Sequence, residues 1–128
     1  MAKTSSGGDL EREVEELAAK LGLESRRQVR LGRRLWGAER RIDVVLTEPV
    51  SRKRLGVECK SQNTQGSAEE KIPATIQDIG AWPIPGIVVF AGHGFSPTMR
   101  SFLIASGRAV ASDDLEDWLR FFFGLALA

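Results

Sequence analysis

Seven residues, Arg54-Leu-Gly-Val-Glu-Cys-Lys60, constrain this chain more than any other stretch. Leu55, Val57 and Cys59 alternate with Glu58 and Lys60, the period of a strand with one apolar face. With the Leu-Val-Cys face on a core, an acid and a base project side by side from the other, a placement that is either exposed or functional. Residues 41–47, Arg-Ile-Asp-Val-Val-Leu-Thr, are rich in β-branched side chains and predict a neighbouring strand. Pro49 and Ser51 mark the turn between the two. Asp43 stands among Ile42, Val44, Val45 and Leu46, where a carboxylate is rarely buried without a partner. On adjacent strands of one hairpin, Asp43 and Glu58 can converge.

The remaining elements follow from spacing. Residues 1–8 read as a flexible polar arm and 9–128 as one domain. Leu10, Val14, Leu17, Ala18 and Leu21 recur at helical intervals, with Asp9 as the expected N-cap and Gly22 as the stop. Glu11 lies beside that stripe and can look inward at the rim of the core. Residues 25–31 are a weaker strand, and 32–39 a loop carrying Trp36. Ser67-Ala-Glu-Glu70 has the capping-box pattern, and Pro73 then kinks or restarts the second helix. Residues 86–91 are a continuous apolar strand, central in a sheet. Ser96-Pro97 opens a third helix to about residue 106. Residues 108–111 are a short strand, and Ser112 is the expected cap of a last helix. The order α-β-β-β-α-β-α-β-α predicts a mixed α/β fold, a central mixed sheet flanked by helices.

Charge divides function classes. The net charge is only +1. Residues 26–54, however, carry ten bases against three acids, and nine of the ten are arginine. Arginine's planar fork suits phosphate, which points to an anionic polymer as ligand; the plainer reading is a solvated hairpin with charged faces. A single cysteine and a single histidine exclude a disulfide scaffold and a Cys- or His-rich metal cage. No signal peptide or membrane span is recognisable, so the expected compartment is the cytoplasm, that of the host cell for a phage-encoded chain. Cys59 points to the core face and is no nucleophile. The Gly-rich stretch around His93 reads as a turn. Gln62 and Lys71 can either reach the Glu58 site or face solvent.

Two converging carboxylates make a hard-oxygen site for Mg²⁺, with Mn²⁺ able to substitute, and a nearby lysine can hold a water or offset charge on a phosphorane-like transition state. The competing reading is a surface Glu-Lys pair and an ordinary edge aspartate. Asp43 and Glu58-Cys59-Lys60, within this element order, resemble the PD-(D/E)XK nuclease superfamily and its restriction-endonuclease-like fold. The proline of that family's first motif is replaced here by Ile42. Within the superfamily, Gly7-Gly8-Asp9-Leu10-Glu11-Arg12-Glu13 is similar to the start of archaeal-type Holliday junction resolvases. The resemblance implies a metal-dependent endonuclease cutting branched DNA. It implies Asp43, Glu58 and Glu11 as catalytic metal ligands and Lys60 as the catalytic base or charge stabiliser. Backbone phosphates would be held by Arg12, Arg26, Arg27, Arg30, Arg33 and Arg34.

The C-terminus adds an expectation about assembly. Leu115, Trp118, Leu119 and Phe122 form one helical stripe, while Phe121, Phe123 and Leu125 fall outside it. A helix apolar all round is buried on both sides, which predicts a homodimer through this region. Two symmetry-related sites could then nick opposite strands of a four-way junction. Two rival functions remain open on sequence: a sequence-specific or repair nuclease on duplex or flap DNA, and a basic nucleic-acid-binding module without catalysis.

Overall fold

The computed structural model describes residues 7–33, 39–61, 72–92 and 94–127. The elements are α1 (Gly7–Lys20), β1 (Glu24–Arg33), β2 (Glu39–Thr47), β3 (Arg54–Ser61), α2 (Ile72–Ile79), β4 (Gly86–Ala91), α3 (Pro97–Ala105), β5 (Ala109–Ala111) and α4 (Leu115–Phe122). The five strands lie in sequence order in one sheet. β1, β2 and β3 pair antiparallel; β4 and β5 add parallel to β3. The expected order of elements is the observed one. The arm residues 1–6, the Ser67 capping box, Trp36, Gln62, Lys71 and His93 lie outside the described residues.

The alternation of β3 places its two faces as expected. Leu55, Val57 and Cys59 join Leu10, Val14 and Ala18 of α1, together with Leu115, Leu119 and Phe123, in one core layer. The opposite face carries Ile79 and Trp82, with Ile42, Val45 and Val88, and beyond them Ile72, Phe90, Phe95 and Leu103. Helices thus cover both faces, and the apolar run of β4 is buried on both sides, as a central parallel strand requires. Trp82 lies directly on Gly56 and Gly86. A Cβ at Gly56 would come within 2.6 Å of its ring, so only glycine allows this approach.

Several element ends differ from expectation. α1 begins at Gly7, so Asp9 sits in its first turn and does not cap it, and two residues assigned to the arm belong to the helix. Gly22, just past the C-terminal end of α1, takes φ +78°, a conformation costly for any residue with a Cβ. Pro73 stands in the first turn of α2, where its missing N–H costs nothing. Ser96 caps α3 as expected, its Oγ accepting from the Met99 amide at 3.1 Å. Ser112 does not cap α4: residues Ser112–Asp114 form a 3-10 turn, and α4 starts at Leu115.

The C-terminal expectation also needs correction. Phe123 is buried, because the chain leaves helical geometry there and turns the ring into the core. Leu125, Trp118 and Phe122 pack on the same layer. Only Phe121 (80% exposed) and Leu127 (66% exposed) remain as large exposed apolar side chains in the described C-terminus.

Candidate active site

β2 leaves β3 at one point, and the site lies there. Their backbone register ends at the pair Val44 and Val57. One residue further, side chains take over. The Asp43 amide donates to Oε1 of Glu58 at 3.1 Å, and the Cys59 amide donates to Oδ2 of Asp43 at 2.9 Å. Each carboxylate thus fills a gap the other strand's backbone leaves open, and the two are brought together where the sheet splays. The alternation of β2 breaks at the same place: Ile42 and Val45, three apart, fall in one core cluster where strict alternation would put them on opposite faces.

The electrostatics follow from crowding. Burial and the Asp43 charge push the Glu58 carboxyl up to about 7. Burial also raises Asp43, against the pull of the Cys59 amide, and Glu11 raises it further. The nearby Lys60 charge favours both carboxylates without closing an ion pair with either. Two desolvated carboxylates short of positive charge are a fitting donor set for a small hard cation completed by waters and a phosphate. Among the described residues no three acidic, His or Cys side chains gather closely enough to share one ion. Among the described residues the candidate donors are therefore the Asp43–Glu58 pair, and Glu11, expected as a third ligand, is not close enough to share an ion with them. Burial pushes the Cys59 thiol up, consistent with its place on the core face.

Glu11 is buried and faces this pair from α1. Its Oε1 accepts from Arg27 Nη2 at 2.9 Å, Arg27 Nε at 3.1 Å and Gln28 Nε2 at 3.3 Å. Gln28 also hydrogen-bonds Asp43, so a single amide bridges two carboxylates. It reaches that place from φ +52°, in the left-handed region that a non-glycine residue rarely adopts and that clusters at functional sites. On the side of α2, Asp78 contributes negative charge near Glu58. Asp78 is in turn held by Arg40 at 3.1 Å and by the Trp82 indole at 3.3 Å. Gln28 and Asp78 escaped the sequence reading, and Arg40, counted there in the basic run, is engaged by Asp78 instead. Asp78 four residues before Trp82 was the one local signal; Gln28 had none, since its strain is a property of the folded backbone.

The basic segment is largely occupied by the protein's own acids. Arg27 pairs with Glu11 and, at 3.6 Å, with Glu15. Arg30 and Arg41 share Glu39 at 3.0 Å each. Arg12 lies 3.6 Å from Asp9. Arg26 is exposed and makes no ion pair with the described residues. The Arg33 side chain and Arg34 lie outside the described residues.

A family model described as a PD-(D/E)XK nuclease superfamily domain matches residues 2–119. No curated protein matches the chain. Among solved structures, a protein of unknown function, AF1548, superposes with a TM-score of 0.54 at 18% identity over 80% of this chain. The protein VC1899 from Vibrio cholerae gives 0.47 at 16% identity over 84% of this chain. The chain spans 57% and 30% of the lengths of these two proteins.

Proposed function

Because the chain belongs to the PD-(D/E)XK nuclease superfamily, whose members are metal-dependent nucleases, we propose that it is a DNA endonuclease that hydrolyses phosphodiesters at the Asp43–Glu58–Lys60 constellation, with four-way junctions as its substrate. The observation that carries the proposal is the placement of the Asp43 and Glu58 carboxylates at the splayed strands, held by the Cys59 and Asp43 amides, with Lys60 beside them.

Asp43 and Glu58 would hold the divalent ion, Mg²⁺ or Mn²⁺. When bound, that ion supplies positive charge against the scissile phosphate. Asp43 and Glu58 are already oriented by backbone amides, so little reorganisation is needed on binding. Lys60 directs an ammonium at the site, where it orients the attacking water or meets the charge that develops on the phosphate. Glu11 completes the acidic cluster through Gln28, and Arg26, with Arg12 and Arg27 once released from their carboxylates, holds backbone phosphates. Such contacts read shape and not sequence, which favours a branched substrate over a sequence-defined one. Paired nicking needs two sites, and we assign the homodimer contact to Phe121 and Leu127.

The test is cleavage of labelled four-way junction, linear duplex, flap and single strand, with Mg²⁺, Mn²⁺ or chelator. Metal-dependent paired nicks in the junction are expected. Cutting confined to duplex or flap moves the substrate to the repair or restriction class. Metal-independent binding without any cutting leaves a nucleic-acid-binding module.

A further inference from the structure

The sheet face that carries Glu58 also carries a groove. Register sets it out in rows across the three antiparallel strands: Glu24, Thr47 and Arg54 in one, Arg26, Val45 and Gly56 in the next. Beyond the second row the ladder breaks at Gln28, Asp43 and Glu58. Val29, Val45 and Ile84 floor a groove of about 370 Å³, and Arg26, Arg52 and Arg54 rim it. All three arginines are exposed. Arg26 and Arg54 make no ion pair with the described residues, and Arg52 makes only a loose one to Glu24 at 3.9 Å. This sets them apart from Arg27, Arg30, Arg40, Arg41 and Arg120, which carboxylates engage closely. Three arginines that carboxylates leave free or hold only loosely are therefore gathered at the groove, a few residues along the same face from Lys60, which also closes no ion pair with the described residues.

We infer that the groove is a track for the duplex flanking the cut, with Arg26 and Arg54 on separate backbone phosphates and the apolar floor against the sugar edge. The inference rests on reading the carboxylate pair as a nuclease site. Spacing supports the occupant. Arg26 and Arg54 stand one row apart on strands two places apart, about 6.6 Å along and about 9.6 Å across the sheet, or about 12 Å in all, roughly three to four base-pair rises of 3.4 Å. Arg54 lies four residues before Glu58, about 13 Å along β3, or ~4 base pairs of duplex. A duplex held in the groove therefore reaches the carboxylates about four base pairs away.

The experiment is a salt titration of binding to a labelled 30-base-pair duplex without metal, so no cleavage is required. The wild type is compared with Arg26→Ala/Arg54→Ala and with Arg108→Ala/Arg120→Ala, which removes equal charge elsewhere. Each phosphate contact contributes about 0.9 to the log–log salt slope. The groove variant should lose ~1.8 of it and the control little. An unchanged slope, or an equal loss in the control, overturns the inference. So does binding of a polyglutamate peptide that competes with duplex and depends on the same two arginines, which would make the groove a site for acidic protein. If the wild type cuts DNA and the groove variant keeps its slope, the groove fails and the nuclease reading stands. If the slope falls as expected while the wild type cuts nothing, the groove stands and the nuclease reading fails.

Discussion

The Glu58 carboxylate accepts from the Asp43 amide and the Asp43 carboxylate from the Cys59 amide, so removing either charge leaves the other's geometry partly intact. Asp43→Asn and Glu58→Gln should each lower cleavage by at least ~100-fold while DNA binding stays equal or tightens, because the lost charge repels phosphate; parallel cleavage and anisotropy assays check both. The pH dependence of stability follows from the same pair. Glu58 titrates near 7 in the folded chain, above its ordinary 4.5. The folded state therefore binds the proton more tightly. The associated stability is fully present below about 4.5 and is lost as pH rises through 7. Asp43 moves in the same direction. Glu48 and Glu116 move downward, so their contributions are complete before this window opens. Melting temperature without metal should fall between pH 5 and 8, Glu58→Gln should flatten that fall, and Mg²⁺ should raise melting more at pH 8 than at pH 5. Gln28 offers a separate test at this scale. With its amide bridging Glu11 and Asp43, Gln28→Ala should weaken metal binding about 10- to 100-fold, as loss of a group orienting a ligand does. Calorimetric titration with Mn²⁺ reads this directly, and unchanged affinity would remove Gln28 from the positioning network.

The decisive element is the β2–β3 hairpin, which is regular from Thr47 and Arg54 to Val44 and Val57 and then opens. The sheet can open there because β3 is anchored on either face: α1 grips Leu55 and Val57, and Trp82 grips Gly56. Trp82 also donates its indole to Asp78, so one residue fixes the strand below and the acid near Glu58. Gly86 meets the same ring even more closely than Gly56. Gly86→Ala should overpack this contact and cost about 1–3 kcal/mol in urea unfolding. It should also lower activity through displaced Trp82 and Asp78, although Gly86 touches no reacting group. Full activity at reduced stability would separate Trp82 from the site. α1 was legible as an amphipathic helix because its stripe recurs at helical spacing. Its first residue was not, since Gly7 and Gly8 carry no side-chain signal for either state.

At the scale of the whole molecule, the open matter is assembly. Phe121 and Leu127 are exposed where Phe123 and Leu125 turn back onto the core. Burying one large apolar side chain contributes roughly 1.5–3 kcal/mol, so burying these two would suffice for a modest interface of the kind proposed. Sedimentation at micromolar concentration should give a dimer for the wild type and a folded monomer for Phe121→Ser, which then makes single nicks in place of paired ones. A wild-type monomer would move the substrate to duplex or flap DNA. What the sequence by itself determined was the order of elements, the two faces of β3 and the Asp43, Glu58 and Lys60 pattern. Each rests on local periodicity and covalent order, which are visible within a few residues. Only the tertiary structure decided which arginines are already engaged, how Glu11 is held, that Asp78 lies near Glu58, and that Phe123 is core. These depend on contacts such as Glu11 with Arg27 and Arg40 with Asp78, between elements that pack together only in the folded chain. They depend too on two local departures from periodicity: the end of helical geometry at Phe123 and the break in strand alternation at Asp43. Periodicity predicts a side chain's direction only while the element persists, and the site forms where β2 and β3 part.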